Sequence, residues 1–203
     1  CWRDLAKQND FLLPNDRKLL ELLTIPFYLD LYLEDNYKNK DMNYISFKEH
    51  LWNEKIINND PNRSIEFLKA VEKKSLCNSY YFDFNSSYAK DLVNKQVIIF
   101  DKKNSKYYFI HDIYEEWALE KIINKEISNP DNFFEIFSPS HLMKKVFSYW
   151  LLGQSPNDFK KIISKLLDKH IPSVWKSNIL SSCLLSDHAN DFFKDFDYLI
   201  LDK

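Results

Sequence analysis

Hydrophobic and polar positions follow a helical period over most of this chain and a strand period in one place. Residues 97–100 and 107–110 are short β-branched and aromatic runs, separated by a polar, lysine-rich segment at 101–106. Such a pair of runs predicts a β-hairpin with a loop too long for a tight turn. A helix start follows directly. Asp112 is placed to accept a backbone N–H as N-cap, and Glu115 to reach back and complete a capping box. Apolar residues then recur at Ile113, Trp117, Leu119, Ile122 and Ile123, one face of a helix. A hairpin inside an otherwise helical chain is the sequence shape of a winged helix. His111 stands where its second strand hands over to the capped helix.

Upstream, residues 2–9 read as the tail of a helix, and 12–16 as a turn with Asn15 or Asp16 as the next N-cap. From 17 to 33 nearly every second residue is apolar, the pattern of a helix buried on most sides. Pro26 interrupts it, because proline lacks an N–H and clashes with the preceding turn, so one helix ends near Thr24 and another starts at Pro26. Ser46 and Glu49 suggest a capping box for a helix to about 57 that buries Leu51, Trp52 and Ile56. A break at 59–62 marks a domain boundary. A helix over 63–74 carries Ile65, Leu68 and Val71 on one side, and Ser86 or Ser87 caps a short helix to about 94. The aromatic run 80–84 offers a further strand or edge segment. After a second boundary at Asn129 and Pro130 come helices at 142–152 (closed by Gly153 as a C′ residue), 158–167 (opened by Ser155 and Pro156), 173–185 and 191–201. The expected fold is mainly α. A helical subdomain (1–58) precedes a winged helix with one β-hairpin (59–128) and an α-solenoid-like helical array (129–203).

Composition narrows the chemistry. Of 203 residues, 45% are hydrophobic and 16% aromatic, a folding composition; a net charge of −2 gives no global attraction to nucleic acid or to an acidic membrane. Gly153 is the single glycine. Glycine-rich phosphate loops need at least two, so the chain holds neither a P-loop nor a Rossmann fingerprint. Cys1, Cys77 and Cys183 are widely spaced, with no CxxC and no Cys/His cluster, and read as free thiols of a reducing, cytoplasmic compartment. No apolar run approaches the roughly 18 residues of a membrane span. The chain starts at Cys1 within a helix-like segment, which suggests a fragment of a longer protein.

No catalytic constellation and no metal-ligand spacing is present: histidines are scattered, and no carboxylate pair or nucleophile motif is fixed by spacing. Asp112 and Glu115 have a sufficient explanation as helix caps. His111 is either a solvated or packed residue before a helix, or an imidazole offered beside a helix N-terminus, where a phosphate is favoured. Lys102, Lys103 and Lys106 make a basic wing tip suited to a DNA backbone or simply to water. The helix before the hairpin, with Lys90, Asp91 and Lys95, has mixed charge and no arginine, which gives base readout little support.

Two stretches together resemble a known family. LLTIPFYLDLYL is similar to the helical-subdomain motif of STAND NTPases (the NACHT and NB-ARC group), in which a proline lies against the adenine. YYFIHDIYEEWAL resembles the "MHD" motif of their winged helix, whose histidine contacts the ADP β-phosphate in the closed state; the bacterial branch is the most similar. Pro26 matches the proline, His111 the histidine and Asp112 the aspartate after it, while Ile110 stands where methionine is common. The resemblance implies a non-catalytic regulatory segment that closes over ADP or ATP, with Mg, held by an upstream nucleotide-binding domain of the same chain. It also implies self-oligomerisation on activation and a protein trigger on the helical array. Site residues are then His111 and Pro26 toward nucleotide, with Asp112 and Glu115 supporting. Walker motifs and an arginine sensor are absent, so the segment does not hydrolyse ATP alone. The alternatives are a DNA-binding winged-helix regulator and a helical protein–protein scaffold.

Overall fold

A computed structural model describes residues 12–34, 41–77, 79–129, 133–134, 137, 139–167, 171–185, 189–190 and 194. The fold is mainly α with a single two-stranded antiparallel hairpin among the described residues. The chain divides into two compact units, Cys1–Pro61 and Asn62–Lys203. The helices expected at 2–9 and 191–201 and the proline at 130 lie outside the described residues, apart from Lys194.

In the first unit, α1 (Arg17–Leu22) starts where the Asp16 carboxylate accepts the Leu19 N–H at 2.7 Å. It runs out at Leu23 to Ile25, and Pro26 opens α2 (Pro26–Glu34) in the position where a missing N–H costs nothing. Tyr28, Leu31 and Tyr32 are buried on α2, and the Tyr32 hydroxyl donates to the Leu12 carbonyl at 2.7 Å. α3 (Tyr44–Leu51) corrects the expected cap. Asn43 is the N-cap, and Ser46 is the residue that reaches back to it. The asparagine oxygen and the serine hydroxyl are both good caps, and the reciprocal pair sits one residue set earlier than Ser46 with Glu49. α3 continues into a π-helical segment, Trp52–Ile57, that buries Trp52 and Ile56. It ends at Asn58 and Asn59, with φ of 46° and 65°. Asparagine tolerates this left-handed backbone better than most side chains do.

In the second unit, α4 runs Pro61–Cys77. Its buried stripe is Arg63, Phe67, Ala70 and Val71, whereas Ile65, expected inside, is 49% exposed. α5 (Ala89–Asn94) has no side-chain cap. The Ser86 hydroxyl instead accepts the Tyr88 N–H at 3.3 Å, in the turn before the helix. β1 (Ile98–Asp101) pairs with β2 (Lys106–Phe109) in the register Ile98 to Phe109 and Asp101 to Lys106. Phe82, from the aromatic run, adds a bridge to Tyr107. The inner side of the wing is aromatic: Phe109 packs on Phe67 at 5.9 Å and stacks on Phe82 at 4.9 Å. At the tip, the Asn104 amide and the Lys103 N–H hold the Asp101 carboxyl below its ordinary range.

α6 (Asp112–Glu126) follows and buries Tyr114, Trp117, Ala118, Leu119, Ile122 and Ile123. α7 (His141–Leu152), capped by Ser140, packs on α6, where the Trp150 indole donates to Asn124 at 2.8 Å. Gly153 corrects another expectation. Its φ is −80°, not left-handed, and a Cβ there would stand 3.4 Å from the Trp150 carbonyl, an ordinary contact. α8 (Pro156–Leu167) is capped by Ser155, and α9 (Ser173–Leu184) packs back on α7. Phe133, Phe147 and Trp175 meet at 5.4–5.6 Å in the core of this region. Among the described residues no helix is long and apolar enough to cross a membrane.

Two outcomes follow. Trp117 is 4% exposed, so Trp117→Ala should lower stability by about 3–5 kcal/mol in denaturant melts, the usual loss on emptying a large core site. Burial pushes the Cys183 thiol up to about 12, whereas Cys77 is exposed. A maleimide should therefore label Cys77 in the folded chain and reach Cys183 only on unfolding.

Candidate functional site

The turn that joins the wing to α6 gathers most of the expected site residues. β2 ends at Phe109, and the Ile110 N–H returns to the Val97 carbonyl at 3.1 Å, which closes the hairpin and fixes the direction of the chain. His111 follows in extended backbone (φ −133°, ψ 137°) and is itself the N-cap of α6, with its side chain exposed. Its imidazole makes no capping hydrogen bond.

This corrects the capping box. Asp112 is the first residue inside the helix rather than the cap, and it is exposed. Glu115 turns away from the helix start. Its carboxylate accepts from Lys74 of α4 at 2.5 Å, with the two side chains 9% and 10% exposed. The physical reason is a competing partner: a buried ammonium demands a charged acceptor more strongly than one terminal N–H does. Burial is the first cause that raises the Glu115 carboxyl above its ordinary 4.5. Lys74 pulls it back, while Asp112 and Glu116 push it further up. Lys74 also lies over the Phe109 ring, 5.6 Å from its centre, so one cation ties the end of β2 to the start of α6.

The next residue is held by a different helix. Glu116 accepts from Lys145 of α7 at 2.6 Å in a partly exposed pair. Both pairs border a cleft of about 550 Å³, whose wall also includes Asp112, Tyr80, Ser140 and His141. No group of His, Cys, Asp and Glu among the described residues is arranged to hold a metal ion.

His111, Asp112 and Glu115 thus share one turn of the second unit. Pro26 belongs to the first unit, exposed at the start of α2 beside Ile25, which is 48% exposed. Sequence reasoning missed Lys74, Lys145 and the buried Arg63. The available signal was spacing: Arg63, Phe67, Ala70, Val71 and Lys74 fall on one helical stripe, with a cation at each end. No protein-family model matches this chain, and no curated protein matches it.

The Lys74–Glu115 pair generates a prediction. Lys74→Met leaves a buried carboxylate without its cation and should cost about 3–5 kcal/mol at neutral pH, whereas Lys74→Met with Glu115→Leu should recover most of that loss. A carboxyl whose folded pKa is raised contributes stability that is full below the unfolded value and is lost as pH rises through the folded one. Removing Lys74 raises the folded value further, so the deficit should shrink between about pH 7 and about pH 4. Urea melts at both pH values check this. Equal deficits would mean that Glu115 is not the group left unpaired.

Proposed function

We propose that this chain is the non-catalytic regulatory segment of a cytoplasmic STAND-type signalling ATPase. Its first helical unit and its winged helix close over ADP that an upstream nucleotide-binding domain of the same protein holds with magnesium. Exchange for ATP releases them and permits self-assembly. The observation that carries the reading is His111, exposed at the N-cap of a 15-residue helix directly behind the second wing strand. That is the position at which the resemblance puts the phosphate-contacting histidine.

The chemistry of the turn supports an imidazole contact rather than a helix-dipole contact. Asp112 already places a carboxylate in the first turn of α6, which offsets the partial positive charge of the N-terminus. In this reading a β-phosphate at the turn is held by the imidazole N–H of His111. Exposed Pro26, at the start of α2, supplies the apolar contact to adenine. The α7 to α9 region takes the protein trigger, and the whole is a two-state element whose balance the nucleotide sets. The DNA-reading alternative has less behind it: α5, the helix before the wing, has six residues and presents Lys90 beside Asp91.

A charge-assisted hydrogen bond made only in the closed state contributes about 1.5–3 kcal/mol, roughly a 10- to 150-fold bias. In the protein with its upstream domain, His111→Ala should speed ADP dissociation by that factor and raise assembly without the trigger. An unchanged off-rate in a folded variant would sink the switch. The present chain alone, with no glycine loop to cradle phosphates, should bind ADP or ATP weakly or not at all by calorimetry. Micromolar affinity would overturn the assignment of the phosphate loop to another domain, and salt-dependent DNA binding would favour the DNA-reading alternative.

A further inference from the structure

The outer side of the wing carries an aromatic platform that the His111 turn does not use. Side chains alternate along β2, so Lys106 and Tyr108 share the face opposite buried Phe109. Tyr80 stacks on Tyr108, with ring centres 5.5 Å apart and planes 27° from parallel. Tyr81 stands edge-on to both rings, at 5.1 and 6.0 Å. Its hydroxyl donates to the Asp101 carboxylate, which ties the three rings to the tip of the wing. Tyr80 is 64% exposed, so much of a flat ring is held open to water. A surface ring fixed by two others offers stacking area at little further cost in ordering.

The free charge beside the platform is cationic. Asp101 turns into its own loop, where the Lys103 N–H and the Asn104 amide occupy its carboxylate. Asp83 reaches Lys106 only at 4.0 Å, with both side chains largely exposed. Lys102 and Lys103 are exposed and have no acid paired with them among the described residues. Flat rings alone suit many apolar partners, and lysines alone suit any polyanion. A nucleic acid strand offers ring faces and regularly spaced anions together. Only an unpaired strand lays its base faces open, because in a duplex the bases cover one another.

We propose that the outer face of the wing binds single-stranded nucleic acid, with a base stacked on Tyr80 and neighbouring phosphates on Lys102, Lys103 and Lys106. Tyr108 and Tyr81 are positioning residues that hold the Tyr80 ring. The site stands apart from the His111 reading and from the DNA-reading alternative, since it uses neither the α6 turn nor α5. It recognises bases by their faces rather than their edges, so it tolerates many sequences.

The test reads fluorescence anisotropy of labelled oligouridylate and oligothymidylate, each of about ten nucleotides, with this chain from about 50 to about 200 mM salt. The strands should bind, with a log–log salt slope of about −1.4 to −2.1, the value for two or three phosphates on a single strand. Whichever sugar binds tighter names the source, RNA or unpaired DNA. Tyr80→Ala should weaken binding by about 5- to 150-fold, the loss of one stacked base. Tyr80→Phe, which keeps the ring, should bind as the parent does. Lys102→Gln with Lys103→Gln should flatten the salt slope by about 1.4. Tyr149→Ala, which removes a ring 66% exposed on α7, should leave the affinity unchanged. These are surface substitutions, so the thermal midpoints should match the parent. Absence of binding, parental affinity in Tyr80→Ala or an unchanged slope in the lysine variant would overturn the proposal. So would full competition by polyglutamate, which offers charge without ring faces. A DNA duplex bound as tightly as the single strands would overturn it in favour of the DNA-reading alternative.

Discussion

A buried ammonium group must be partnered, and the arrangement around His111 follows from how Lys74 meets that demand. Its Nζ lies 2.5 Å from the Glu115 carboxylate and over the face of Phe109. Phe109 ends β2 and Glu115 stands in the first turn of α6, so α4 fixes both sides of the short connection in which His111 sits. Phe67 and Phe82 pack on that same Phe109, so the ring under the ammonium is itself held in place. The exposed His111 is thereby carried on a turn that is held on both sides.

The same turn shows where sequence reasoning succeeds and where it stops. Strand period and turn chemistry are local, so the hairpin was legible: the strands differ from expectation by one residue at each end, with Asp101 and Lys106 joining the ladder. The break at Pro26 was legible for the same reason, since proline acts on its own backbone. The roles of Asp112 and Glu115 were not. Their spacing matches a capping box, but the competing partner, Lys74, is 41 residues away from Glu115 and only the tertiary fold brings it near. The buried stripe of α4 was misplaced only in part: Val71 is buried and Leu68 half-buried as expected, but Ile65 was counted inside because it is aliphatic. The stripe in fact begins with an arginine, and Ile65 faces out. Gly153 misled in the opposite way: glycine at a helix end suggests a left-handed cap, yet the backbone there stays right-handed.

His111 itself combines the two cases. Its place between strand and helix could be read from the sequence, whereas its exposure and its lack of a capping bond are properties of the folded turn. Asp112 follows it in the first turn of α6 and is exposed beside it.

The account's central claim is that this turn meets the nucleotide in one state and leaves it in the other. Hydrogen exchange at the backbone amides of Asp112 and Ile113, in the protein with its upstream domain, tests that claim most directly. The first N–H groups of a helix lack intrahelical partners, so they exchange quickly unless closure over a ligand shuts water out of the turn. The account predicts protection of these amides in the ADP-loaded protein and its loss in the ATP-loaded one. Equal exchange in the two states, with the rest of α6 equally protected in both, would contradict it.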